Sequence, residues 1–223
     1  TTRHTIGPVL AIDEYFDGGA KPGEHPGWDS VAHLYRIQRG EWTVITGSAN
    51  SGKSTWLNAL MVNLIDTLGW RFAIFSPETQ PVERHFALLA ENLLGEPFSG
   101  KGKMDRDQML FAKEFLAKYV TFVFPESPTI DALLDCFKRV IERNGLDGAI
   151  IDPYNEIEHS RPQGMSDHDY LSWVLTKIRR FVRIHCIHLW MVAHPTKLSF
   201  EFLRDDNGKV VVRNGKQVRV LPV

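Results

Sequence analysis

The sequence predicts an α/β fold: a mainly parallel central sheet flanked by helices, with a C-terminal β-hairpin behind it. Three observations predict it. Five short apolar runs alternate with stretches of helical periodicity, and strands separated by helices pair in parallel because a parallel return needs a crossover. A glycine-rich loop stands between the first run and the first long helical stripe. Near the end, Asn214-Gly215 separates two β-branched runs, which is a strong two-residue hairpin signal.

Each element follows in order. Residues 17–27 (DGGAKPGEHPG) are rich in Gly and Pro and read as a linker. WTVIT (42–46) reads as a buried strand. From Ser54, one helical stripe carries Trp56, Leu57, Leu60, Met61, Leu64, Ile65 and Leu68, and Gly69 stops it. RFAIFS (71–76) is the second strand. Pro81 opens a helix with Val82, Phe86, Leu89 and Leu93 on one face, ended by Gly95. Residues 105–118 form another helix, and VTFVF (120–124) the third strand. Thr129 caps the helix of Ile130, Leu133, Leu134, Phe137, Val140 and Ile141, which Gly145 stops. GAIID (148–152) is the fourth strand. Ser166 and Asp169 have capping-box spacing before a helix that buries Leu171, Val174, Leu175, Ile178, Phe181 and Val182. IHLWMVA (187–193) is the fifth strand.

At 223 residues, with 43% hydrophobic and 24% charged residues, the chain suits one large domain with a full core. A net charge of −1 excludes a surface coated with nucleic acid, so any DNA contact is local. Cys136 and Cys186 are too few and too far apart for a disulfide framework; both read as buried small apolar residues in a reducing compartment. No C-x-x-C spacing suggests zinc, no apolar run spans a membrane, and the N-terminus lacks a signal-peptide pattern. The reading is a soluble intracellular protein.

The chemistry lies at strand carboxyl ends, where α/β folds place it. Gly47-Ser48-Ala49-Asn50-Ser51-Gly52-Lys53-Ser54 matches G-x-x-x-x-G-K-[ST] in full. Gly47 and Gly52 let the backbone curl so that its N–H groups point at phosphate oxygens. The helix start, with Thr55, adds its positive end. Lys53, expected to face solvent at the loop end, reaches the β- and γ-phosphates, and Ser54 takes one Mg²⁺ position. A chance Gly/Ser-rich turn is the alternative, and the strand-loop-helix context argues against it. Asp152 can hold the Mg²⁺ shell or merely cap a turn before Pro153. Glu78 can orient and deprotonate a water; Glu156 competes, and Glu78 is preferred. His194 can sense a γ-phosphate or be an ordinary polar residue. Lys177, Arg179, Arg180 and Arg183 interleave with an apolar stripe and read as a solvated face. In the polar loop 159–169, His159 and Arg161 either touch a phosphate backbone or are simply exposed.

GEWTVITGSANSGKS, RFAIFSPE, GAIIDPYNE and WMVAHPTK, in that order, resemble the motifs of DnaB-like replicative helicases, most of all their Twinkle and phage primase-helicase branch. The similarity runs from Trp28 to Lys197. It implies a RecA-like P-loop NTPase core that uses ATP and Mg²⁺. It further implies a hexameric ring moving 5′ to 3′ on single-stranded DNA, with primase and replisome proteins as partners. By motif, Glu78 resembles the catalytic glutamate, Asp152 the Walker B aspartate and His194 the γ-phosphate sensor. DNA-binding loops follow the Walker B and sensor strands in the family, which adds Lys197 to His159 and Arg161. The organisation expected is a linker at 1–27, the motor at 28–198, and C-terminal strands at 199–223. The family carries a longer region after the sensor, so the resemblance implies a segment missing between Leu198 and Ser199. It leaves the arginine finger unassigned among Arg204, Arg213 and Arg219. The compartment implied is bacterial or phage-infected cytoplasm, or the mitochondrial matrix for a Twinkle orthologue. A RecA-fold recombinase or regulatory ATPase, and a nucleotide-dependent DNA-binding or structural module without motor activity, are the alternatives.

Overall fold

The computed structural model describes residues 12–19, 22–48 and 50–194, and short stretches at 201–202, 211–213, 216–217 and 219–220. Among the described residues, two short helices, α1 (Ile12–Gly18) and α2 (Asp29–Ala32), precede the sheet. The alternating part follows: β1 (Trp42–Thr46), α3 (Lys53–Leu68), β2 (Phe72–Phe75), α4 (Val82–Leu94), α5 (Arg106–Tyr119), β3 (Val120–Phe122), α6 (Ile130–Asn144), β4 (Gly148–Ile151), α7 (Asp167–His185) and β5 (His188–Ala193). The five strands form one parallel sheet in the order β1-β5-β4-β2-β3.

Several helix boundaries are those the sequence indicates. Gly69 and Gly95 close α3 and α4 in left-handed conformations. Thr129 accepts from Ala132 N–H at the start of α6. Asp105 and Gln108 form a reciprocal capping box on α5. Ser166 accepts from Asp169 N–H, and its own hydroxyl donates to the Asp169 carboxylate, so only half of a capping box forms there.

Alternation along the strands divides the core in two. Phe72, Ile74, Ile150, Trp190 and Val192 pack with Leu57, Leu60, Met61 and Leu64 of α3. Ala73, Phe75, Ala149, Ile151, Leu189 and Met191 pack on the other face against α6 and α7. Phe72 pairs with Gly148, and Gly148 with His188 two residues before Trp190. A β-carbon on Gly148 would lie 2.4 Å from Phe72 Cε1 and 2.9 Å from Trp190 Cζ3, so the two rings fill the space a side chain would need. Their centroids are 5.9 Å apart.

A part-buried polar chain ties the amino ends of β1 and β5 to the segment before them. Trp190 Nε1–H donates to Tyr35 OH at 2.9 Å, and Tyr35 and Thr43 hydroxyls are 3.0 Å apart. Thr43 Oγ1 lies 2.9 Å from His188 Nε2, and His188 Nδ1 lies 2.7 Å from the Gln38 carbonyl. The carbonyl only accepts, so Nδ1 carries the proton and Nε2 accepts from Thr43. Every link then runs one way, and burial pushes His188 down to about 4.

Four expectations need correction. β1 is an edge strand, not a buried one, with Val44 41% exposed. Its apolar composition suits a strand half covered by helices as well as a central one. Cys186 is exposed and Cys136 only partly buried. Cys186 closes α7 in a left-handed conformation, where the helix end meets solvent. Leu68, 44% exposed, is the last residue of α3, and Leu171, 39% exposed, lies beside the buried row Tyr170, Val174, Ile178 and Val182 of α7. Among the basic residues of α7, Lys177 is not merely solvated: it pairs with Asp131 at 2.6 Å and lies 3.6 Å from the centre of the Trp173 ring.

Further on, β6 (Glu201–Phe202) pairs with β9 (Arg219–Val220), and β7 (Val212–Arg213) pairs antiparallel with β8 (Lys216–Gln217). The turn Asn214-Gly215, the junction at Leu198–Ser199 and Arg204 lie outside the described residues, as do the side chains of Arg213 and Arg219.

Candidate nucleotide site

The loop between β1 and α3 uses positive φ at Gly47 (154°), Asn50 (59°) and Gly52 (85°). Asn is the non-glycine residue most tolerant of that region. Residues 48, 50, 51, 52 and 55 are exposed, Gly47 and Ser54 are half-buried, and Ala49 lies outside the described residues. The first turn of α3 holds no acidic residue of its own. Lys53 is only 8% exposed, which corrects the expectation of a solvent-facing side chain. Its ammonium donates to the carbonyls of Gly47 at 2.9 Å and Ser48 at 2.8 Å, so the loop folds around its own cation.

Asp152 follows β4 and is 6% exposed. Burial raises its pKa, opposed by a hydrogen bond from the Ser54 hydroxyl. The negative Glu78 raises it further, and His194 and Lys53 lower it. Those causes place Lys53, Ser54, Glu78, Asp152 and His194 in one electrostatic neighbourhood. Glu78 and His194, from the ends of β2 and β5, are 3.6 Å apart between Oε2 and Nε2, both partly exposed. Glu156 lies exposed on a single 3₁₀ turn, Tyr154–Glu156, and the charges acting on Asp152 are those of Glu78, His194 and Lys53.

Sequence reasoning missed two residues here. Ser76 continues the alternation of Phe72 and Ile74, next to Asp152 in register, because Phe75 pairs with Ile151. It is 1% exposed, and its hydroxyl has no hydrogen-bond partner among the described residues. Strand parity was the signal that could have found it. Asn155 holds His194 at two points, accepting from its N–H at 2.8 Å and donating to its carbonyl at 3.3 Å. Nothing in the local sequence YNE marks it.

His159 and Arg161 line a different cleft of about 460 Å³ with Tyr154, Asp167, Tyr170 and Leu171. The His159 ring stands 4.9 Å from Tyr154 and 5.7 Å from Tyr170. Arg161 is ion-paired with Asp167. Lys197 lies outside the described residues. No helix among the described residues is long and apolar enough to cross a membrane.

No family model matches the chain. The Twinkle homolog protein of Arabidopsis thaliana, chloroplastic/mitochondrial, is 35% identical over 230 aligned residues, covering 91% of this chain and 32% of that protein. The chain thus spans about a third of the relative's length. Among solved structures, the ATPase domain of G40P superposes with a TM-score of 0.68 at 12% identity, covering 88% of this chain and 73% of that one. A DnaB-like replicative helicase, solved in a study of its interactions with primase, gives 0.66 at 11% identity, covering 86% of this chain and 49% of that one. The structural likeness speaks to the fold and the sequence likeness to descent: the chain is a relative of Twinkle built on the RecA-like ATPase fold of DnaB-like helicases.

Proposed function

We propose that this chain is the ATP-hydrolysing motor of a DnaB-like DNA helicase, moving on single-stranded DNA and unwinding duplex during replication. The observation that carries it is the gathering of Lys53, Ser54, Glu78, Asp152 and His194 at the carboxyl ends of β1, β2, β4 and β5. The residues fit Mg²⁺-ATP. A loop with three positive-φ residues and a buried ammonium suits polyphosphate. A hydroxyl beside a carboxylate gives hard oxygen donors, and Mg²⁺ with nucleotide needs only one or two from the protein.

When bound, Mg²⁺-ATP supplies the electrophilic γ-phosphoryl group. Gly47 to Thr55 would cradle the phosphates with backbone N–H groups. Lys53 Nζ would exchange one loop carbonyl for a phosphate oxygen, moving little because it already points into the loop. The Ser54 hydroxyl would turn from Asp152 toward the metal, and the Asp152 carboxylate would hold the metal's water shell. Glu78 Oε2 would take a proton from the attacking water. His194 Nε2, 3.6 Å from Glu78 Oε2, would help orient the carboxylate and, facing the same space, would register loss of the γ-phosphate.

The partners proposed are single-stranded DNA, further copies of the chain in a hexameric ring, and primase with other replisome proteins. The domain limits at 28 and 198, the DNA contacts of His159, Arg161 and Lys197, and work in the cytoplasm or the mitochondrial matrix belong to the same proposal. The test is ATP turnover and 5′-to-3′ strand displacement with and without single-stranded DNA. Lys53→Ala should abolish turnover while leaving the chain folded by circular dichroism. Unchanged turnover in folded Lys53→Ala would overturn the assignment. Turnover without strand displacement would favour the recombinase or regulatory reading, and tight ATP binding without turnover a binding module.

A further inference from the structure

The two hydrogen bonds from Asn155 to His194 join the nucleotide cluster to the second cleft. Asn155 lies on the 3₁₀ turn that follows Asp152 and Pro153. Its side-chain amide meets both the N–H and the C=O of His194, as a neighbouring strand would, at the point where β5 ends. His194 then faces Glu78 at 3.6 Å. On its other side, Asn155 follows Tyr154, whose ring meets His159 in a tilted contact, centroids 4.9 Å apart, in the wall of the cleft that also holds Arg161. The contacts are continuous: cleft loop, Tyr154, Asn155, His194, Glu78.

We propose that Asn155 is a positioning residue that couples occupancy of the His159–Arg161 cleft to the Glu78–His194 pair. The inference rests on the reading of the first site as an ATPase site and of the second cleft as a contact for single-stranded DNA. A ligand that draws His159 or Arg161 toward itself shifts the 3₁₀ turn, and the turn carries the amide that fixes the His194 backbone. A backbone held at both its donor and its acceptor follows its clamp, whereas one held at neither relaxes independently. Coupling between two sites is a free energy shared by both, so it is measurable from either one.

The test is a linkage measurement on the full chain. Affinity for a fluorescent ATP analogue is titrated with and without a saturating thymidine oligonucleotide, and turnover is recorded in parallel. In the unaltered chain the oligonucleotide should change analogue affinity several-fold. In Asn155→Ala the ratio of affinities with and without oligonucleotide should fall toward one, whatever the absolute values become. Asn155→Asp keeps the acceptor for the His194 N–H bond and should retain part of the ratio, which a general loss of folding would not reproduce. Melting temperatures separate the two. An undiminished ratio in folded Asn155→Ala overturns the coupling role while leaving the ATPase reading intact. An unaltered chain that binds no analogue overturns the ATPase reading, and one that binds analogue with no response to oligonucleotide overturns the coupling alone.

Discussion

Glu78 and Glu156 are both single carboxylates just past strand ends, and the sequence ranks them only weakly. The structure separates them physically. Both are exposed, but Glu78 acts on the charge of Asp152 and approaches His194, while Glu156 is not among the charges acting on Asp152. Glu78→Gln should therefore keep Mg²⁺-ATP binding yet lower turnover by roughly 10²-fold, as loss of a positioned general base does. Glu156→Gln should turn over within about twofold of the unaltered chain, as a change at an exposed charge does. Steady-state kinetics on both variants decide, and the reverse pattern would exchange their roles. Side chains with a local signal were legible: the loop Gly47 to Ser54 announces itself by spacing, and Asp152 by ending an apolar run. Asn155 was not legible, because its role is set by His194, distant in sequence and brought close only by the pairing of β4 with β5.

At the scale of elements, the helices were read from apolar stripes and stop glycines, whereas the capping box of α5 came from the structure, and it bears measurable weight. Asp105 accepts from Gln108 N–H at 2.8 Å, and the Gln108 side chain accepts from Asp105 N–H at 2.7 Å. Asp105→Ala should cost about 1 kcal/mol of unfolding free energy, leaving turnover unchanged, since α5 lies away from the loop. Urea unfolding checks it; a loss below about 0.3 kcal/mol would show the cap to be idle, given the usual range for such substitutions. Strand identity was legible from apolar runs, whereas strand order was not. A run such as WTVIT carries no mark of the edge, because helices cover part of an edge strand too. Val44 is exposed for a reason of topology, not composition.

For the whole molecule, acid should be felt through two buried imidazoles. His85, 3% exposed, donates from Nε2 to Asn58 Oδ1 3.0 Å away, and its Nδ1 has no partner among the described residues. The amide oxygen only accepts, so Nε2 carries the proton and the ring is neutral. Burial lowers His85 and His188 from 6.5 to about 4. Between those values the unfolded chain binds protons that the folded one refuses. Their contribution is therefore complete above about pH 6.5, falls as pH drops toward 4, and levels off below; each amounts to at most about 3 kcal/mol. Unfolding free energies at pH 7.5, 5.5 and 4.5 should decline in that order, and His188→Gln should show a shallower decline. An equal decline in the variant would remove His188 from the account.

The notch at Gly148 has a consequence for how this sequence can change. Phe72 and Trp190 occupy the volume that any larger residue at 148 would claim. The three positions therefore behave as one heritable unit with a preferred order of substitution. Gly148→Ala made first should destabilise the chain by roughly 1–3 kcal/mol through overpacking. Made after Phe72→Leu, the same change should cost less, because the smaller side chain has vacated the space. A thermodynamic double-mutant cycle measures the difference, and strict additivity would show that the sheet yields by moving its backbone instead. A lineage crossing from glycine to alanine at this position would have to give up the ring first.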